Sequence, residues 1–139
     1  MSLRHKGREF ALQMLFQWEM GHQQPTEIEA GFWKAARSEK KTRDFANQLF
    51  EGAVSEAEEI DTLLVRHAKN WRLERMAVID RAILRLAVHE LRARKTPDKV
   101  IMNEAVELAK KYSSADAAPF VNGILDAIHK GEDRPEALS

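Results

Sequence analysis

The chain has 139 residues, with 22 acidic and 22 basic side chains, so its formal net charge is zero and any contact with nucleic acid must be local. It contains no cysteine, which excludes disulfides, zinc–thiolate sites and thiol catalysis and suits a reducing cytoplasm. No stretch approaches the roughly 20 apolar residues that a membrane span requires, and the start of the chain makes a poor signal peptide. We therefore expect a cytoplasmic protein of one domain, or of two small halves that share a core.

The first half of the chain carries apolar residues at helical spacing. A basic arm, residues 1–8, leads into a first helix with a broad apolar face. Thr26 and Glu29 have the spacing of a capping box and predict the start of a second helix. A long third helix is predicted from about Thr42 to Ala68. Three helices are therefore expected before the middle of the chain.

The second half shows the same spacing. Met76 to Leu91 predict a fourth helix, after a turn at residues 70–72. Thr96 followed by Pro97 is a helix-start pattern, with the hydroxyl available as a cap and proline at the first helical position. Asp116 is a suitable cap for the last helix. Strand-like alternation is not sustained anywhere in the sequence.

Together these elements predict an all-α fold of about six to seven helices. We expect a single domain over residues 9–130, built from two three-helix-bundle-like halves, residues 9–69 and 70–130. The basic arm precedes this domain, and a flexible polar tail, residues 131–139, follows it.

Reactive constellations are missing from the sequence. It has no glycine-rich phosphate loop and no HExxH pattern, and its five histidines are scattered. Glu19 and His22 form a single Glu-x-x-His pair, whereas a di-iron bundle needs two such pairs and further carboxylates. We therefore expect no catalytic residue, no metal site and no cofactor, and a protein that acts by binding.

Basic and aromatic residues provide the case for nucleic acid. Arg4, Lys6 and Arg8 can each neutralise a phosphate and release counterions, and Phe120, close to a helix start, could stack on an unpaired base. The alternatives are an ordinary charged terminus and a core aromatic ring. A second basic group at helical spacing is either a stripe for phosphates or a solvated face paired with nearby acids. Its members are Arg81, Arg85, His89 and Arg92.

Three residues interrupt the apolar patterns of the last two helices. Asn103 and Asn122 lie beside apolar faces, and Gly123 costs about 1 kcal/mol inside a helix relative to alanine. We interpret them as polar anchors and a close helix contact that fix how these two helices cross.

Four blocks of sequence carry a family resemblance. Basic residues run into EFALQMLFQW, from Glu9 to Trp18, and DRAILRLAVHEL extends from Asp80 to Leu91. A third block spans Lys99 to Lys110 and includes NEA and ELAK, and FVNGILD, from Phe120 to Asp126, completes the set. In this order and spacing, from about Arg4 to His129, the chain resembles the NusB family of transcription antitermination factors.

The resemblance implies a non-enzymatic role in the processive transcription of ribosomal RNA operons. In that family the protein pairs with NusE, which is also a small-subunit ribosomal protein, and the heterodimer binds the single-stranded boxA element of nascent RNA. The complex then joins other elongation factors on RNA polymerase, which makes the polymerase an indirect partner. Some members of the family self-associate, which leaves a homodimer open.

Carried over residue by residue, the resemblance implies two sets of contacts. Arg4, Lys6 and Arg8 correspond to phosphate contacts, and Asp116 and Phe120 correspond to positions at the RNA-binding surface. The positions near the side that faces NusE are Phe16, Glu74 and Asp80.

The chain also departs from the family pattern. His5 and Gly7 interrupt the basic arm, which lowers its expected contribution to RNA binding, and Ser113-Ser114 and Pro119 alter the loop before Phe120. Two functions compete with antitermination. One is an RNA-binding module of the type fused to ribosomal RNA cytosine methyltransferases, and the other is a helical protein that binds only another protein. Salt-sensitive binding of boxA-type RNA distinguishes the last of these from the RNA-binding functions.

Overall fold

The computed structural model describes residues 2–68 and 73–131, and within these residues the chain is helical with no strand. This confirms the predicted all-α fold. None of these helices is both long and apolar enough to cross a membrane. The elements are α1 Leu3–Met20, α2 Pro25–Ala35, α3 Lys40–Ser55, α4 Ala57–His67, a 3-10 turn Leu73–Arg75, α5 Val78–Ala93, α6 Asp98–Tyr112 and α7 Ala117–Lys130.

Helix α1 begins earlier than the sequence pattern predicts. Its N-cap is Ser2, whose Oγ accepts a hydrogen bond of 3.0 Å from the backbone N–H of His5. From Leu3 onward, the predicted basic arm is therefore part of α1. Gly7 and Arg8 are already buried, because the second turn of the helix packs into the molecule.

The predicted third helix is two helices in the structure. It divides at Glu56, whose backbone (φ −102°, ψ 13°) leaves the helical range and separates α3 from α4. The Glu56 carboxylate is held by α5, at 3.0 Å from Nη1 of Arg92 and 3.2 Å from Nδ1 of His89. Since the partners of Glu56 lie more than 30 residues away in the chain, no local pattern reveals this division.

The start of α2 lies two residues earlier than predicted. Gln24, and not Thr26, is the N-cap, and its backbone N–H donates to Oε1 of Glu27 at 3.0 Å. Pro25 occupies the first helical position, where its missing N–H costs nothing. The capping box therefore forms on Gln24 and Glu27, and Glu29 is left for another contact.

The starts of α6 and α7 also differ in their caps. Pro97 is the N-cap of α6, and the Thr96 hydroxyl makes no capping bond. Asp116 stands before α7 but its side chain does not cap the helix. Instead Oγ of Ser114 accepts a hydrogen bond of 3.1 Å from the backbone N–H of Ala117. The carboxylate of Asp116 is consequently exposed and available to solvent.

Helix α5 is the centre of the packing. It contacts α1, α3, α4, α6 and α7, and its apolar side chains lie in one continuous core with those of the other helices. Helices α6 and α7 form an antiparallel pair whose open ends are joined by His129 and Asp98, 2.7 Å apart. The predicted boundary between the halves, at residues 69 and 70, lies outside the described residues. Helix α4, which the sequence assigns to the first half, packs against both α5 and α7.

The predicted tail and turn lie mostly or wholly outside the described residues. Of the tail, residues 131–139, only Gly131 is described, and the turn predicted at residues 70–72 is not.

Two glycines allow α3 to approach its neighbours closely. A Cβ on Gly7 of α1 would lie 2.5 Å from Cδ2 of Phe45 in α3. A Cβ on Gly52 of α3 would lie 2.2 Å from Cε1 of His89 in α5. Each glycine therefore provides a notch for a ring from the facing helix, and these notches set the separation of α3 from α1 and from α5.

The interpretation of Asn103 and Asn122 as polar anchors, and of Gly123 as a close helix contact, is wrong. All three are exposed, and a Cβ on Gly123 would meet no atom within 4 Å. The crossing of α6 and α7 is set instead by apolar residues such as Leu108 and Val121. Among the residues that the structure describes, no close contact therefore offsets the glycine cost in α7.

Helix α2 is attached to α3 by polar contacts. Nε1 of Trp33 donates to Oδ1 of Asn47 at 2.8 Å, and Glu29 shares a hydrogen bond with Glu51. Two carboxyl groups can share such a bond only if one keeps its proton. Burial, together with the hydrogen bond and the charge of Glu51, accordingly raises the pKa of Glu29 to about 8.

We predict opposite effects of alanine at two helical glycines. Gly7→Ala should lower the free energy of unfolding by about 1–2 kcal/mol, since overpacking exceeds the gain in helix propensity. Gly123→Ala should raise it by about 0.5–1 kcal/mol. Urea unfolding followed by circular dichroism measures both. Gly31→Ala is the control, because Gly31 is exposed in α2 with the same open space and should behave like Gly123→Ala. A shift of the same sign at all three positions would contradict the packing argument.

We also predict a pH-dependent contribution from Glu29. Its pKa is raised in the folded state, so its stabilising contribution is present in acid and is lost as the pH rises from about 4.5 through about 8. Glu29→Gln keeps a hydrogen bond to Glu51 without a titrating proton. Relative to this variant, the wild type should lose stability between about pH 5.5 and about pH 8.5 in urea titrations. The control Glu59→Gln, an exposed acid on α4, should follow the wild type.

Candidate nucleic-acid interface

A buried ion pair lies directly beneath the start of α1. Arg8 is 3% exposed, and its Nε and Nη2 donate to the two carboxylate oxygens of Glu90 at 2.7 and 2.8 Å. Its Nη1 donates to Oε1 of Glu104 at 3.3 Å. Burial alone would lower the pKa of Arg8, but the two carboxylates together raise it, so the guanidinium stays charged.

This geometry assigns Arg8 a structural role. Its donors are directed at Glu90 and Glu104 inside the molecule, and an RNA phosphate at the surface cannot reach them. The prediction that Arg8 contacts phosphate therefore does not fit its surroundings. The local sequence could not reveal this role, because Glu90 is 82 residues away from Arg8 along the chain.

Arg4 and Lys6 differ from Arg8 because both are exposed at the first turns of α1. The guanidinium of Arg4 lies over the ring of Phe45, with its carbon 5.0 Å from the ring centroid. The Lys6 side chain is 48% exposed and its Nζ is 3.6 Å from Oε1 of Glu9. Cations at the N-terminal end of a helix oppose the helix dipole. An anionic ligand there would be attracted both by the side chains and by the helix terminus.

The start of α1 is fastened to α6 by a second set of charges. His5 lies between Glu104, at 3.1 Å, and Glu9, at 3.4 Å. Nζ of Lys111 donates to Oε2 of Glu9 at 2.6 Å. Burial would raise the pKa of Glu9, but the hydrogen bond and charge of Lys111 lower it. Glu9 is therefore an ionised bridge between α1 and the end of α6.

The other two predicted RNA contacts lie at the start of α7. Asp116 is exposed, and Phe120 is half-buried and packs against the core. They follow the end of α6, where the Tyr112 hydroxyl accepts a hydrogen bond from Gln13 of α1 at 3.3 Å. Glu104, beside the start of α1, is eight residues before Tyr112, or about 12 Å along α6. The predicted contacts at the start of α1 and those at the start of α7 thus lie near different points along the length of α6.

The predicted basic stripe on α5 is neutralised within the molecule. Arg81 donates to Oε1 of Glu19 at 3.0 and 3.1 Å. Arg85 makes two bonds of 2.7 Å to Asp61 and also contacts Glu19. The remaining two members are paired with Glu56. The stripe is therefore internal cross-linking between α5 and its neighbours, and the acids that pair with it come from α1 and from the α3–α4 region and not from α5.

The three predicted partner contacts are brought to one end of the molecule. Arg81 connects the elements that carry these residues. It donates to Glu19 of α1 and, at 3.0 Å, to the backbone carbonyl of Leu73 in the 3-10 turn. Phe16 lies one turn before Glu19, and Glu74 and Asp80 flank these contacts. One Asp80 oxygen, Oδ1, is buried without a hydrogen-bond partner among the described residues. The surface formed by Phe16, Glu74 and Asp80 is called the α1–α5 face below.

Sequence reasoning missed several residues beside these predicted contacts. Met20 is 63% exposed and lies one turn after Phe16, which is itself 36% exposed. The recurrence of apolar residues at i and i+4 could have indicated it. Phe45 supports Arg4, and Lys95 lies near Arg4 on the connection from α5 to α6. These two contacts depend on the tertiary fold, and no sequence signal points to them.

The functional features lie on exposed helical surfaces. No group of three or more candidate metal-binding side chains occurs within residues 2–68 and 73–131. The fold and these surfaces define a helical protein that recognises other macromolecules. The chain belongs to the NusB family, whose family model matches residues 5–130.

Relatives and solved structures agree with this assignment. The chain is 46% identical over 132 residues to the transcription antitermination protein NusB of Koribacter versatilis, covering 94% of this chain and 90% of the relative. It is 45% identical over 140 residues to NusB of Myxococcus xanthus, covering 97% and 100%. A solved complex of the antitermination factors NusB and NusE with double-stranded RNA matches with a TM-score of 0.85 and 31% identity, covering 94% and 98%. NusB of T. maritima matches with a TM-score of 0.83 and 33% identity, covering 97% and 96%.

We predict that loss of Arg8 destabilises the fold. Arg8→Met leaves the buried Glu90 without its partner and should lower the free energy of unfolding by about 3–5 kcal/mol in urea titrations. The double variant Arg8→Met/Glu90→Leu should recover much of this loss, since the uncompensated charge is gone. Arg4→Met, at the exposed first turn, is the control and should change stability little. Equal stability of Arg8→Met and Arg4→Met would show that the ion pair contributes nothing.

Proposed function

We propose that this protein is a transcription antitermination factor that binds single-stranded boxA RNA of nascent ribosomal RNA transcripts together with NusE. Its relatives are named as antitermination proteins, and a solved relative is in complex with NusE and RNA. The protein acts by binding and not by catalysis, and it works in the cytoplasm, where transcription takes place. Through this complex it reaches the RNA polymerase elongation complex.

The observation that carries this proposal is the exposed cationic start of α1. Arg4 has no carboxylate partner within the described residues, and its guanidinium stays exposed over Phe45. Lys6 is held only loosely, at 3.6 Å from Glu9. Both lie at a helix N-terminus, which favours anions. A net-neutral chain that keeps two cations there is suited to phosphates of RNA.

Asp116 and Phe120 supply contacts of a different kind. An exposed carboxylate can accept hydrogen bonds from base amino groups, which a lysine or arginine cannot do. Phe120 presents an aromatic ring at the start of α7, where stacking on an unpaired base would contribute about 1–3 kcal/mol. The half-burial of Phe120 supports an edge or one face for contact and not the whole ring.

The α1–α5 face is proposed as the side that binds NusE. The exposed Phe16 and Met20 supply apolar area, and Glu74 adds an exposed carboxylate that can pair with a basic partner. Since RNA binding and NusE binding use different surfaces, a heterodimer can extend the RNA site without covering it. Self-association through any of these surfaces would compete with that assembly.

Titration of a labelled single-stranded boxA-type RNA tests the proposal, with and without NusE, at two salt concentrations. Binding should be weak alone and stronger with NusE. The double variant Arg4→Gln/Lys6→Gln should weaken binding of all sequences and reduce the salt slope by roughly 0.7 for each cation. Phe120→Ala and Asp116→Asn should instead change discrimination between sequences.

The control is Lys34→Gln/Arg37→Gln, which removes two exposed cations at the end of α2. It should leave the salt slope close to that of the wild type. Absence of salt-sensitive RNA binding, with NusE present or absent, would refute the RNA-binding function and leave a protein-interaction module. RNA binding that is unchanged by NusE would refute the cooperative assembly.

A further inference from the structure

A cleft opens at the N-terminal end of α1. It lies between α3 and the connection from α5 to α6 and has a volume of about 490 Å³. This volume is within the range of pockets that hold small ligands. The lining residues that matter are Arg4, Phe45, Gln48, His89, Lys95 and Thr96.

Gly52 is one reason the cleft exists. His89 occupies the space where a side chain of residue 52 would be, because a Cβ there would lie 2.2 Å from the imidazole. Any larger residue would force the ring of His89 outward, towards the cleft that both residues line. Glycine at position 52 therefore leaves room for the ring of His89 and keeps that ring from filling the cleft.

The acidic groups that line the cleft are neutralised by cations of the same chain. Glu90 is paired with Arg8 at 2.7 and 2.8 Å. Glu56 is paired with Arg92 at 3.0 Å, and its carboxylate also lies 3.2 Å from Nδ1 of His89. Neither carboxylate therefore contributes a free negative charge to the cleft.

The two cations at the mouth are not neutralised in this way. Arg4 contacts the ring of Phe45, and Lys95 is exposed after the end of α5. Within the described residues neither has a carboxylate within ion-pair distance. Lys95 follows Arg94, whose left-handed backbone (φ 58°) ends α5 and turns the chain towards α6. The mouth of the cleft consequently has positive potential and attracts an anion.

The shape of the mouth favours a nucleotide over a small anion. The guanidinium of Arg4 lies over the ring of Phe45 and is exposed, so it offers a planar cation on which a base can stack. Gln48 and Thr96 add neutral hydrogen-bonding groups to the walls. A phosphate between Arg4 and Lys95 would place its attached nucleoside beside these groups.

We propose that this cleft binds one nucleotide of single-stranded RNA, with its phosphate between Arg4 and Lys95 and its base on the guanidinium of Arg4. The assignment rests on the proposed RNA-binding function and extends it. It adds the α5–α6 connection to the proposed RNA contacts at the start of α1 and at the start of α7. The bound RNA would then extend past the N-terminal end of α1 to the α5–α6 connection.

The charge contribution of Lys95 tests the cleft directly. Lys95→Gln should weaken binding of boxA-type RNA in the presence of NusE by about 3- to 10-fold and reduce the salt slope by roughly 0.7. Lys34→Gln removes an equal charge from the exposed end of α2, away from the cleft, and should change affinity less than 2-fold. Thermal unfolding of both variants verifies that the fold is intact. Equal affinities of Lys95→Gln and Lys34→Gln would overturn the proposal.

A second measurement does not depend on boxA recognition. Uridine monophosphate at about millimolar concentration is titrated into the isotope-labelled protein and amide resonances are followed by NMR. We expect shifts concentrated at Gln48, Lys95 and Thr96, and smaller shifts with inorganic phosphate, which lacks a base. Shifts confined to other regions would overturn the cleft.

The two proposals fail in different ways. If Lys95→Gln binds RNA as Lys34→Gln does while Arg4→Gln/Lys6→Gln is weakened, the cleft is wrong and the proposed function stands. If the wild type does not bind RNA with NusE, the proposed function is wrong, and the uridine monophosphate titration still decides whether the cleft takes a nucleotide.

Discussion

The ion pair of Arg8 with Glu90 is the interaction on which the position of α1 depends. A buried guanidinium is tolerated only when its donors are satisfied, because an unpaired charge in the interior costs several kcal/mol. Its bonds to Glu90 and Glu104 form only at one separation of α1 from α5 and α6. The same geometry fixes where Arg4 lies and where the cleft opens. The buried Arg8–Glu90 ion pair thus determines the arrangement of the exposed residues at the start of α1.

The protein separates its charges by location. Most cations of α5 are paired with acids from α1 and the α3–α4 region, which links the helices around the centre of the fold. The cations at the start of α1 remain in solvent. Salt screens the interaction of exposed charges that are farther apart than the Debye length, about 8 Å at physiological ionic strength, but acts weakly on buried pairs. Ionic strength should therefore regulate ligand binding over a range in which the fold is unaffected.

Helical spacing was sufficient to predict the fold class, because the apolar positions of α1, α5 and α7 face one core. The functional surface was less predictable. Arg4 and Arg8 look alike in sequence, yet one is exposed and the other is paired 82 residues away. The exposure of Gly123 could not be predicted from the sequence either, since helix periodicity does not show which residues are covered by neighbouring helices. Local patterns describe a helix, and its partners decide which residues reach the surface.

The cap of α1 has a consequence for the thermodynamics of recognition. Because Ser2 closes the helix before Leu3, the cationic turns are ordered before any ligand arrives. Binding then requires no folding of an arm and avoids the conformational entropy that a disordered segment loses. The heat-capacity change of association should correspond to the surface that is buried and contain no folding contribution. A binding partner therefore meets a preformed surface, and any ordering on association falls to that partner.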